Sequence, residues 1–124
     1  HGKPTLCHQS LHFNISRSAH LGLMAFSAGA ALGIDIEQHR ANLDPQEIAA
    51  EFFSSQERKA LFSLPDSQQS QAFHRIWTHK EAYLKALGCG LSRPLPSFSV
   101  CDHHHPLRPQ LTDNSQPQAS DHWR

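Results

Sequence analysis

The sequence predicts an α+β domain in which antiparallel strands pack on helices, and three observations carry that expectation. Short apolar runs at residues 11–16, 20–27 and 31–37 are set off by polar or glycine-containing breaks, the spacing of strands rather than helices. From about residue 42 the pattern turns helical, with two capping sequences followed by a long stretch whose apolar residues recur every three or four positions. After Gly90 the chain returns to short extended segments. At 124 residues it is one small domain at most, with a modest core.

Residues 1–10 are polar and turn-like. Residues 11–16 alternate weakly and predict a first strand, residues 20–27 a second and residues 31–37 a third, with Ala28-Gly29-Ala30 as the hairpin turn between the last two. In the third strand, alternation sends Leu32, Ile34 and Ile36 to one face and Gly33, Asp35 and Glu37 to the other. Two carboxylates on one face repel each other unless water or a cation separates them.

Asp44-Pro45-Gln46-Glu47 predicts a helix start, with an N-cap, a first-turn proline and a capping glutamate; Ile48, Ala49, Phe52 and Phe53 supply its apolar stripe. Ser54-Ser55-Gln56-Glu57 repeats the capping box and opens a short helix containing Leu61 and Phe62. A polar break at residues 64–70 includes Pro65. A long helix is expected from about residue 68 to residue 87, with Phe73, Ile76, Trp77, Leu84 and Leu87 on its apolar face and Gly88 at its end. Arg93-Pro94-Leu95-Pro96 is an extended connector. Residues 97–101 predict a strand and residues 107–112 another, which Pro109 would confine to a sheet edge. The tail from residue 114 is polar, with Trp123 as its one large apolar anchor.

Composition excludes several function classes. Lys plus Arg equals Asp plus Glu at 11 each, so no bulk field attracts nucleic acid, and any anion site must be local. No apolar run approaches the ~20 residues that span a bilayer, so no membrane partner is expected. The three cysteines, Cys7, Cys89 and Cys101, form no metal-type spacing, and their odd number fits a reducing cytoplasm. Of the 11 histidines only His103-His104-His105 form a run. Three adjacent side chains in a loop cannot converge on one ion, so no dedicated site is expected there; a histidine-rich metal-binding module remains the reading that a metal titration would have to exclude.

The residues that can carry chemistry are few. Asp35 and Glu37 lie on one strand, Glu81 on the long helix, and Lys85 one turn beyond it. Glu81 and Lys85 alone read as a surface ion pair worth ~0.3–0.5 kcal/mol. Together with the acidic strand pair they read differently: three oxygen donors that suit Mg²⁺, beside cations that suit phosphate. Lys3 and Arg17, expected in loops near the strands, add positive charge.

Four blocks, Gly2-Lys3-Pro4, Phe13-Asn14-Ile15-Ser16-Arg17-Ser18, Gly33-Ile34-Asp35-Ile36-Glu37 and the run from Trp77-Thr78-His79-Lys80-Glu81 to Gly88, resemble the Sfp-like branch of the 4'-phosphopantetheinyl transferases, in that family's order. Phe52-Phe53-Ser54-Ser55-Gln56-Glu57 and Pro94-Leu95-Pro96-Ser97-Phe98-Ser99-Val100 resemble it too. The resemblance implies Mg²⁺-dependent transfer of 4'-phosphopantetheine from coenzyme A to a serine of an acyl or peptidyl carrier protein, with release of 3',5'-ADP. By that resemblance Asp35 and Glu81 hold the metal, and Glu37 completes the metal site or takes the serine proton. Lys85 binds a coenzyme A phosphate, Lys3 and Pro4 line the adenine side, and Ser16 and Arg17 contact phosphate. Arg17 stands where the family usually has histidine. The branch has two similar halves, and the resemblance starts near the end of the first. The expectation is therefore one pseudo-repeat half plus the end of the other, with an N-terminal part missing, in three regions: residues 1–37, 42–91 and 92–124. A catalytically incompetent remnant with at most weak coenzyme A binding is the competing expectation.

Overall fold

A computed structural model describes residues 11–38, 44–88, 93–102 and 104–115. The chain divides into two compact units, one of residues His1–Gln38 with Thr78–Arg93, the other of His39–Trp77 with Pro94–Arg124. Among the described residues the architecture is α+β, with three α-helices and two antiparallel hairpins, as the sequence predicts.

In the first unit, β1 (Leu11–Ser18) pairs antiparallel with β2 (Leu21–Ala28) through the register Phe13↔Phe26, Ile15↔Met24 and Ser18↔Leu21. The hairpin therefore closes between the first two predicted strands. Its two-residue loop holds Ala19 at φ 53°, in the left-handed region that costs an L-residue energy. Gly29 does turn the chain, at φ 90°, but the segment after it forms no ladder. The predicted third strand is instead an extended segment fastened to β1 by side chains. The backbone N–H groups of Ile34, Ile36 and Gln38 donate to Asn14 Oδ1, Ser16 Oγ and Ser18 Oγ at 2.9, 3.0 and 2.9 Å. Both chains are extended, so residues two apart on each advance equally and the three bonds stay in step.

The final turns of α3 (Asp66–Leu87), from Thr78 onward, complete this unit. Gly88 ends the helix at φ 74° and donates to Leu84 O at 3.0 Å. Gly33 lies against this part of α3 so closely that a Cβ on it would overlap the Ala82 carbonyl oxygen. Glycine is needed there for space, because its φ is unremarkable.

The second unit contains α1 (Pro45–Phe52), α2 (Ser55–Phe62), the first half of α3, and the hairpin of β3 (Ser99–Asp102) with β4 (His105–Thr112). Both predicted caps form. Asp44 Oδ1 accepts from Gln46 N at 3.0 Å, while Ser54 and Glu57 complete the reciprocal capping box at 2.9 and 3.1 Å. The same Glu57 is fully buried, and its Oε2 accepts from Val100 N at 2.8 Å, so the α2 cap also anchors β3. Ser54 Oγ and Ser99 Oγ, 2.6 Å apart, reinforce that joint. Phe53, Leu61, Ala72, Phe73, Ile76, Leu95, Phe98 and Val100 are buried, with Phe53 and Phe73 rings stacked 5.3 Å apart. A 3₁₀ turn, Leu95–Ser97, replaces the beginning of the predicted strand at 97–101. Pro109 does lie in a two-stranded sheet, opposite Cys101, where the register is irregular.

Candidate functional site

The helix face read from spacing is accurate as far as it goes. Phe73, Ile76 and Leu84 are buried, Trp77 and Leu87 half-buried. Lys80 and Tyr83 are buried as well, Lys80 completely. The signal for Lys80 is its position: it stands four after Ile76 and four before Leu84, in the middle of the apolar stripe. A lysine there brings an ammonium into the interior, which the fold tolerates only with acceptors around it.

Glu81 follows on the half-buried flank, and Lys85 one turn later. Lys85 does not form the simple helical ion pair that its spacing from Glu81 offers. Its Nζ donates to Ile34 O at 2.9 Å and pairs with Asp35 Oδ1 at 3.1 Å. The close seat of Gly33 against Ala82 brings this about, since it carries the next residues of the extended segment to the helix. Gly33 and Asp35 thus share the face that alternation assigned to them.

The Asp35 side chain is 5% exposed. Its Oδ1 also accepts from Ser16 Oγ at 3.3 Å, while its Oδ2 is buried without a hydrogen-bond partner. Such an orphan oxygen is costly inside a protein and marks a place where a donor or cation fits. Burial lifts the Glu81 carboxyl above its ordinary value of 4.5, and the negative charges of Asp35 and Glu37 push the same way; Lys85 opposes them. Asp35, Glu37 and Lys85 therefore all act electrostatically on Glu81. Glu37 is exposed and forms one wall of an open cleft of about 340 Å³, with Ser18, His20, Leu21 and Ile36.

Among the described residues no three His, Cys, Asp or Glu side chains form a ready-made metal cage. Mg²⁺ does not need one, because it uses one or two carboxylates, retains waters and takes phosphate oxygens from its substrate. The buried, unsatisfied oxygen of Asp35 beside an acid crowded by negative charge fits that ion.

Two predicted phosphate contacts separate. Ser16 is buried and its hydroxyl is already engaged with Ile36 N and Asp35. Arg17 lies within β1, not in a loop, and is exposed on the opposite face, with its stem over Gly22. Lys3 and Pro4 lie outside the described residues, as does His103. His104 follows Asp102 in the β3–β4 turn, where its N–H donates to Asp102 Oδ1 at 2.9 Å.

Known proteins are similar to this sequence. It is 43% identical over 96 residues to the 4'-phosphopantetheinyl transferase HetI of Nostoc sp., covering 74% of this chain and 40% of that protein. It is 37% identical over 119 residues to the transferase Sfp of Bacillus subtilis, covering 94% of this chain and 52% of Sfp. With AcpT of Escherichia coli O157:H7 the identity is 34% over 88 residues, 70% of this chain and 45% of AcpT. The chain thus spans about half the length of the curated relatives it matches. Residues 31–124, which include Asp35, Glu37, Glu81 and Lys85, match the pattern of one family throughout, and the chain belongs to the 4'-phosphopantetheinyl transferase superfamily.

Proposed function

We propose that this chain contributes the acidic and phosphate-binding groups of a holo-carrier-protein synthase, which transfers 4'-phosphopantetheine from coenzyme A to a serine of an acyl or peptidyl carrier protein. The observation that carries the reading is the Asp35–Lys85 pair, with one Asp35 oxygen unsatisfied and Glu81 crowded by negative charge beside it. Asp35 and Glu81, with Glu37, are the groups that would hold Mg²⁺. When bound, the ion would neutralise pyrophosphate charge and favour departure of the nucleotide.

The remaining work falls to side chains. Lys85 supplies a cation to the phosphates, an interaction that strengthens as charge grows on the leaving group. In this reading Glu37, whose exposure at an open cleft supports the role, accepts the serine proton. The serine oxygen then bonds to the phosphorus of the pantetheine-bearing phosphate. The phosphoanhydride P–O bond breaks, and 3',5'-ADP departs with the electron pair. Arg17, exposed on β1, is available to an outer phosphate. A reducing cytoplasm suits the buried Cys101, which forms no disulfide.

The test supplies coenzyme A, Mg²⁺ and an apo carrier protein and reads the carrier's mass. The expected result is addition of phosphopantetheine by the parent chain, and none by Asp35→Ala or Glu81→Ala. Transfer by either variant at the parent rate would remove the acidic residues from the reaction. No transfer by the parent, with full-length Sfp active in the same assay, would overturn the transferase reading for this chain.

A further inference from the structure

Asn14, Ser16 and Ser18 face the same way on β1, and each side-chain oxygen accepts one backbone N–H of the extended segment, those of Ile34, Ile36 and Gln38. The three are equivalent as fasteners. Among the described residues only Ser16 shows a further bond, to the Asp35 carboxylate. A hydroxyl has one proton and two lone pairs, so Ser16 Oγ can accept from Ile36 N at 3.0 Å and still donate to Asp35 Oδ1 at 3.3 Å. It therefore grips the backbone after Asp35 and the Asp35 carboxylate at once.

We propose that Ser16 is a positioning residue for Asp35: it fixes the rotamer in which Oδ1 meets Lys85 and Oδ2 is left without a partner. Two observations support this. Ser16 is buried, and its hydroxyl bonds run to the Asp35 carboxylate and to the backbone N–H of the residue that follows Asp35, Ile36. Lys85 shares Oδ1 with Ser16, so the two donors hold one oxygen and leave the other unpaired. A donor that hydrogen-bonds a ligating carboxylate orients it, and loss of such a donor typically weakens metal binding by ~10-fold or more.

The inference rests on the proposed role of Asp35 as a metal carboxylate, and two readouts separate them. In the 124-residue chain without metal, three-bond NMR couplings report the Asp35 χ1 angle, while calorimetry with Mg²⁺ reports affinity. Parent chain and Ser16→Thr should show one Asp35 rotamer, and Ser16→Ala should show averaging. Asn14→Ala and Ser18→Ala should speed exchange of the Ile34 and Gln38 amides respectively, yet leave the Asp35 rotamer fixed. Mg²⁺ affinity should fall about tenfold in Ser16→Ala and recover in Ser16→Thr. An unchanged Asp35 rotamer in Ser16→Ala would overturn the proposal. So would equal averaging in Asn14→Ala, which would make Ser16 one fastener among three. If the rotamers behave as expected but the parent binds no Mg²⁺, positioning stands and the metal reading falls.

Discussion

Lys85 Nζ lies 3.1 Å from Asp35 Oδ1, joining the end of a long helix to an extended segment fifty residues earlier. The contact defines the candidate site. It brings a cation and an acid from separate elements into one place and leaves the second oxygen of that acid without a partner. The contact depends on how closely the two backbones approach.

Gly33 sets that approach. A Cβ there meets helix backbone, which cannot move aside as a flexible side chain could. Gly33→Ala is expected to destabilise the chain by ~1–3 kcal/mol, the usual range for overpacking. Urea denaturation of parent and variant checks this, with Gly22→Ala as the control whose Cβ meets only ordinary contacts.

Glu57 holds two buried backbone N–H groups, those of Ser54 and Val100. Glu57→Ala leaves both donors unsatisfied and opens a small void. A loss of ~3 kcal/mol or more follows from the cost of stranded buried donors. Glu57→Gln keeps the side-chain volume and one good acceptor, so it should lose less. Thermal melts of the two variants give the ordering.

Glu81 makes stability depend on pH in a particular direction. Its carboxyl is raised in the folded chain, so the folded state binds the proton more tightly than the unfolded state does. Ionisation therefore costs the fold. The penalty is absent well below 4.5, grows as pH rises from there through the raised folded value, and is constant above it. Glu81→Gln should match the parent in acid and be the more stable of the two at neutral pH. Denaturation midpoints measured between pH 3 and pH 8 test the sign, and a difference that shrinks as pH rises would contradict it.

The outer face of the β1–β2 hairpin carries Ile15 and Met24 opposite each other, 40% and 56% exposed, near Phe26 at 58%. Clustered apolar surface of this kind promotes association. The double variant Ile15→Glu, Met24→Lys places opposite charges across the register and should reduce self-association at a stability cost of about 1 kcal/mol or less. Sedimentation velocity at several concentrations reads the first effect, chemical denaturation the second.

What could be read before the fold was known was local. Asp44 and the Ser54–Glu57 box announced two helix starts, Gly88 announced the end of α3, and alternation put Gly33 and Asp35 on one face. These follow from hydrogen-bonding rules and side-chain periodicity within a few residues, and the chain states them directly. The family was also legible, because whole blocks were preserved in order. Packing settled the rest. It fastened residues 34–38 to β1 by side chains rather than a ladder, turned Ser16 and Arg17 to opposite faces, and buried Lys80. It also gave Lys85 the distant Asp35 in place of its helical neighbour Glu81. Periodicity fixes which way a side chain points, but which partner waits there depends on segments tens of residues away. Their separation is fixed by steric fit, here by the missing Cβ of Gly33.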